Sequence, residues 1–218
     1  MTGTSANKEA GPGLFAPGPY RSANPAAIIA AYPFGLLATG GENPYGTWVP
    51  MVFERVGDPL RLVGHLARRN PHAEALAPGA KALAAFLGPH AYITPRWYLE
   101  RPEVPTWDYV AAQARGTLEP IDEEAAQRAI LDRIVEEMER GAAEPWRLEK
   151  APIGRIEQLL PLIRSFRIEV ESLEGSEKLS QNHPASDRRR VVEGLRVRGQ
   201  PGDGPIASLI EAAGGGRS

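Results

Sequence analysis

The chain has 218 residues, with 25 Lys and Arg against 27 Asp and Glu, a net charge of −2, and no cysteine. That length holds one large domain, or one domain with a small appendage, and can bury a core without covalent staples. The near-cancelling charge argues against a dominant nucleic-acid-binding field, and the lack of cysteine excludes a disulfide framework, a thiolate metal site and a cysteine nucleophile.

No run of about 18 apolar residues is present, so no membrane-spanning helix is expected. The first residues lack the basic-then-apolar order of a secretory signal, and the expected location is cytoplasmic. With 23 glycines and 21 prolines, about a fifth of the chain against an average of roughly 12%, many short elements joined by turns are expected.

Residues 1–13 are polar and contain Gly and Pro, and read as a disordered N-terminal tail. Asn24 suits the cap of a short helix with Pro25 at its first position, stopped by Pro33. Phe34 to Thr39 is an apolar run, and Gly40 to Pro44 a turn. Thr47 to Glu54 is a second strand, where Pro50 implies an edge or a bulge. After a turn at Gly57-Asp58-Pro59, the alternation from Leu60 gives a strand that ends near His65. Asn70 and Pro71 start a short helix reaching about Leu76. Lys81 to Leu87, Tyr92 to Thr94 and Trp107 to Leu118 complete five or six short strands, which an antiparallel barrel closes without exposed edges. The clearest helix follows, with Asp122 as its cap, Gly141 past its end, and an apolar stripe of Ala126, Ile130, Ile134 and Met138. Ile153 to Leu160 is a second short helix, and Phe166 to Glu171 alternates as a half-exposed strand. After Ser172 the chain turns polar. Residues 200–218 read as a flexible C-terminal tail around the short apolar stretch Ile206 to Ile210.

Candidate chemistry concentrates between Gly64 and Tyr109. His65, His90, Arg68, Arg69, Trp97, Trp107, Tyr92 and Tyr109 are groups that stack on, or donate hydrogen bonds to, a flat anionic cofactor. The alternative is a set of loops sealing a barrel end. The four histidines, His65, His72, His90 and His183, show no zinc-site spacing, but an axial haem ligand requires only one imidazole. His65, at a strand end, is the better candidate; a hydrogen-bonded structural histidine is the competing reading. Arg68 and Arg69 beside Asn70 could clamp a phosphate or a propionate. Lys178, Gln181 and Asn182 form a second polar cluster. Arg188-Arg189-Arg190 reads as a solvated surface in preference to a nucleic-acid contact. No phosphate-binding loop or dinucleotide fingerprint is present.

In Tyr32-Pro33-Phe34-Gly35, the run from Gly64 to Pro71, the run from Gly88 to Tyr98, the run from Val104 to Tyr109, and Lys178-Leu179-Ser180-Gln181-Asn182, the sequence resembles the PaiB-like family of FMN-binding negative transcriptional regulators. The resemblance covers about residues 14–199. It implies a mainly β, α+β fold: a split antiparallel β-barrel of the flavin-reductase and pyridoxine-phosphate-oxidase type. It implies one such domain over 14–199 with a helical appendage near 122–161, working as a homodimer with cofactor sites between subunits. Two departures stand out. Trp48 and Gln113 occupy positions where the family pattern has histidine. The family also looks to contain haem-dependent piperazate synthases, which close N5-hydroxyornithine by forming an N–N bond. On that resemblance the first expectation is a haem b enzyme of this kind acting on a small-molecule substrate. His65 would be the iron ligand, Arg68, Arg69, Asn70, His90, Trp97, Trp107, Gln181 and Asn182 would surround the cofactor, and Lys178, Tyr92 and Tyr109 would be catalytic. The alternative expectation is an FMN-binding regulator or flavin oxidoreductase.

Overall fold

The computed structural model describes residues 13–41, 44–54, 59–100 and 103–214. Among these, six strands form a closed antiparallel barrel in the order β1-β2-β3-β6-β5-β4. The strands are β1 (Phe34–Thr39), β2 (Tyr45–Phe53), β3 (Arg61–Ala67), β4 (Lys81–Ile93), β5 (Thr106–Ile121) and β6 (Ile163–Lys178). This is the split-barrel α+β fold that the resemblance implies. Residues 1–12 and the turn positions Glu42, Asn43, Gly57 and Asp58 lie outside the described residues.

Alternation sets the core. Leu37, Met51, Leu62, Phe86, Phe166 and Ile168 are buried together inside the barrel. Gly64 is required there, because a Cβ would lie 2.6 Å from the Phe166 ring and 2.9 Å from the Pro50 carbonyl oxygen. Pro50 sits where β2 stops pairing with β1 and starts pairing with β3, so its missing N–H costs the ladder little.

Asn24 caps α1 (Pro25–Ala31) by accepting from the Ala27 N–H, and Asn70 caps α2 (Pro71–Ala75) by accepting from the His72 N–H. Helix α3 (Glu124–Met138) lies on the outer face, where Ile130 and Ile134 pack with Val52, Val63 and Ile121. Its cap is Glu123, which accepts from Ala125 and Ala126, and not Asp122 as the sequence suggested. Asp122 instead takes hydrogen bonds from Arg164 and Arg68, which hold its carboxyl below the usual carboxylate range. Met138, expected in the apolar stripe, is 45% exposed. Helix α4 (Arg155–Leu159) follows.

The chain departs from expectation most after Ser172. Strand β6 continues to Lys178, paired with β5 up to Tyr109. Its polar appearance has a cause: beyond Val170 its ladder has β5 on one side only, and the other edge meets just the segment at Arg21. Gly175 lets α1 approach, since a Cβ there would lie 3.0 Å from Pro25 Cβ and 3.2 Å from Ile28 Cδ1. The arginine run opens an amphipathic helix, α5 (Ala185–Arg198), with Val191, Val192 and Leu195 buried. The flexible tail expected past residue 199 is replaced, up to Gly214, by helix α6 (Asp203–Gly214). Ile206 and Ile210 are buried in it, at about 1.5–3 kcal/mol each. Asp203 joins the two helices by accepting from Arg198 at 2.5 Å and from the Gln200 N–H at 2.8 Å.

Candidate functional site

His65 lies on the outer face of the barrel, in the alternation with Val63 on β3 and with Trp48, Pro50 and Val52 on β2. Helix α3 covers the Val52 and Val63 end of that face. The Trp48 end is open: Trp48 is 58% exposed and stacks on Phe34 at 6.3 Å. His65 therefore stands at the border of covered and open sheet. Its cross-strand neighbour is Ser165. His65 Nδ1 and Ser165 Oγ are both sealed from solvent and have no hydrogen-bond partner among the described residues. Burial pushes the imidazole below its ordinary pKa, so it is neutral at pH 7. Nε2 is left as the nitrogen able to meet a ligand.

The polar groups expected beside His65 divide. Arg68 is engaged by structure: Nε donates to the Pro161 and Ile163 carbonyls at 3.1 Å each, and Nη1 pairs with Asp122 at 3.2 Å. Asn70 is taken up by its cap and by a 3.3 Å bond to Thr47. Arg69 is exposed and makes no hydrogen bond to a described residue, so it is the cation of this trio left for an anion. His72, which the sequence did not single out, is buried below α2. One ring nitrogen meets Thr39 Oγ1 at 3.1 Å and the other meets Thr47 Oγ1 at 2.8 Å, while Tyr45 stacks on the ring. It is a satisfied structural plug of the barrel end. Its position in the first turn after Asn70-Pro71 was the available signal.

The other candidates sit at the far end of the long β4-β5-β6 sheet. His90, Tyr109 and Lys178 form one cross-strand row, and Tyr92 and Trp107 form the next. His65 pairs near the start of β6 and Lys178 ends it, so one chain does not bring the two groups into a single pocket. Trp107 is exposed and lies edge-on to Tyr92 at 6.0 Å. His90 Nδ1 is 3.1 Å from the Gly88 carbonyl. Trp97, expected at the cofactor, packs against Gly194 of α5 beneath the Arg198 guanidinium. Gln181 is engaged by the Leu179 N–H and by the Pro19 and Glu177 carbonyls.

Lys178 turns toward a small cavity of about 140 Å³ at this end, which Asn182 also lines. Its Nζ donates to Thr106 Oγ1 and to the Trp107 carbonyl. The most buried residue of its lining is Asp108, with no exposed surface, whose Oδ2 accepts from Ser180 Oγ at 2.6 Å. Burial pushes its carboxyl up to about 6. Burial likewise raises the neighbouring Tyr98 hydroxyl to about 12. Sequence reasoning missed both; the signal was Asp108 at an inward position of an alternating strand, between Thr106 and Val110.

Residues 14–172 match the family described as "Putative FMN-binding domain". The chain belongs to this family. It is 33% identical to the Protease synthase and sporulation protein PAI 2 of Bacillus subtilis, over 82% of this chain and 86% of that one. It is 30% identical to an uncharacterized protein of Emericella nidulans, over 86% and 91%. Among solved structures it resembles the FAD and heme binding protein from Mycobacterium smegmatis, with a TM-score of 0.54, 21% identity, and coverage of 81% of this chain and 78% of that one. It also resembles a conserved hypothetical protein from Mycobacterium tuberculosis, with a TM-score of 0.51, 15% identity, and coverage of 78% and 94%. The structural matches bear on fold alone. The family is a flavin-binding one, so the flavin alternative moves ahead of the haem-dependent cyclase expected first.

Proposed function

We propose that the protein binds FMN on the outer face of its barrel beside His65, as a homodimer with oxidoreductase character. The observation that carries this reading is the pair of sealed, unpartnered atoms His65 Nδ1 and Ser165 Oγ at the border of an open apolar sheet face, in a chain of the FMN-binding family. A flat ring system suits the apolar face, and exposed Arg69 suits a phosphate. Bound there, a flavin supplies reversible electron and hydride transfer. The protein's own part is to hold and orient it: His65 offers a neutral imidazole, and Trp48 with Phe34 offers an aromatic wall that excludes water.

The homodimer rests on the same face. Phe34, Trp48, Leu87 and Trp107 are 50–61% exposed on it, flanked by Leu36, Ala85 and Ala111 in register. Apolar faces of this extent mark interfaces. A second copy would cover it and bring the Tyr92-Trp107-Tyr109 end of one subunit within reach of the His65 end of the other, which a single chain does not do.

Haem at His65 is the second reading. It is favoured by one observation, a desolvated and therefore neutral imidazole on an apolar face, as an iron ligand requires. The mycobacterial structural relative is described as binding both FAD and haem. Fluorescence titration with FMN tests the leading reading: saturable quenching at one FMN per protomer supports it, and the absence of uptake sinks it.

A further inference from the structure

We propose that the groove between α5 and α6 binds a small amphipathic carboxylate, with its hydrocarbon chain on the apolar floor and its head on Arg188. The groove has a volume of about 620 Å³, within the range of roughly 300–1,000 Å³ typical of small-molecule sites. It lies beyond residue 172, where the family match ends, so the proposal does not rest on the flavin reading. Its floor is apolar: Val192 and Ile210 are buried along it. Val197 also lines it and is 82% exposed, although Arg196 and Arg198 flank it in the sequence. The apolar surface therefore continues from the floor out to the rim.

The charges in the lining leave a cation over. Arg196 Nη2 meets Glu211 at 2.6 Å and ties α5 to α6. What remains is Arg188 and Arg189 against Glu193, an excess of one positive charge. Neither of these two guanidinium groups makes a hydrogen bond or ion pair with a described residue. Arg188 is half-buried and stands over the last turn of α6, where a Cβ on Gly214 would lie 3.6 Å from its Nη2. It spends no hydrogen bond on the carbonyls of that turn, so its N–H groups are open to a ligand. Arg189, one position on, is exposed and adds to the field from the rim.

These two features select one ligand chemistry. A carboxylate accepts two parallel N–H bonds from a single guanidinium, and a hydrocarbon chain behind it covers Val192, Val197 and Ile210. A small inorganic anion would leave the apolar floor in water. A neutral hydrocarbon would leave the half-buried guanidinium without an acceptor. An alkyl cation would meet the excess positive charge.

The test is an NMR titration of the full chain with sodium octanoate, below its micellar range, at pH 7.5 and constant ionic strength. Saturable shifts confined to the amides of 185–198 and 206–214 are expected, with affinity lowered at least tenfold in Arg188→Gln. Hexanoate should bind at least fivefold more weakly, since each buried CH₂ is worth roughly fourfold. Octylammonium, with the same chain and the opposite charge, should bind at least tenfold more weakly. Should Arg188→Gln disturb the end of α6, Val197→Asp decides: the side chain it replaces is exposed, and unchanged affinity there overturns the proposal. Equal binding of inorganic phosphate would show a bare arginine surface. Shifts centred on Trp48 would place the ligand on the open barrel face, and shifts on protein dilution alone would give the groove to a second copy. Each of these overturns the proposal, as does the absence of a saturable shift. FMN uptake in the same samples is read separately by fluorescence, so either reading can fail alone.

Discussion

His65 faces Ser165 directly across the β3–β6 ladder, and each keeps one sealed polar atom without a partner among the described residues. Unmatched buried polar groups cost about 1–3 kcal/mol each, so a fold that keeps two side by side has them for something beyond packing. Ser165→Ala should leave the stability of the cofactor-free protein unchanged or raised by up to about 1 kcal/mol in urea denaturation. His65→Ala should weaken FMN binding at least tenfold by fluorescence titration. A large stability loss in Ser165→Ala would show that its hydroxyl serves the fold.

His72 should behave oppositely to His65 as a mutational site. Its ring holds Thr39 and Thr47, and His72→Ala leaves both hydroxyls and a cavity behind, at about 2–4 kcal/mol. Cofactor affinity should change little in any variant that stays folded. Burial lowers the folded pKa of both His65 and His72 below 6.5. The unfolded chain therefore binds protons that the fold refuses. Their contribution to stability is complete above about pH 6.5 and is lost as pH falls through the lowered folded values. Urea midpoints measured from pH 8 down to pH 5 should show this decline.

Asp108 has the opposite sign. Its folded pKa, about 6, lies above the ordinary 3.8, so between those values the fold binds more protons than the unfolded chain and is favoured by acid. Above pH 6 the buried charge costs up to about 3 kcal/mol. Asp108→Asn keeps an acceptor for Ser180 and removes the charge. It should raise the melting temperature at pH 8 and have little effect near pH 4. A lowered melting temperature at pH 8 would contradict this account of the site.

The open sheet face gives a prediction about assembly. Trp48→Asp places a charge at the centre of the proposed subunit contact and should convert a dimer to a monomer in light scattering, with an unchanged circular dichroism spectrum. A wild-type monomer at micromolar concentration would contradict the homodimer.

Local chemistry made much of the fold legible. Asn24-Pro25 and Asn70-Pro71 marked two helix starts, a compact apolar run marked Phe34 to Thr39, and alternation marked the strand at Val63. The second half of β6 was hidden because a strand with one open edge carries glutamates and a glycine. Helix α5 was hidden because Arg188 to Arg190 masked the apolar positions Val191, Val192 and Leu195. At the site, His65 could be placed at a strand end from alternation. That Arg68 donates to the Pro161 and Ile163 carbonyls and Gln181 to the Pro19 carbonyl could not, because those carbonyls come from segments distant in sequence. Asp108 was invisible as a site residue for the same reason: only the fold brings Ser180 and Tyr98 to it.

The central claim is a flavin beside His65. The most direct measurement is the absorption spectrum of the purified protein, incubated with equal FMN and haem and freed of unbound cofactor, followed by denaturation. A flavin spectrum released as free FMN, and lost in His65→Ala, is the predicted result. A retained Soret band with no flavin would contradict it and return the protein to the haem reading.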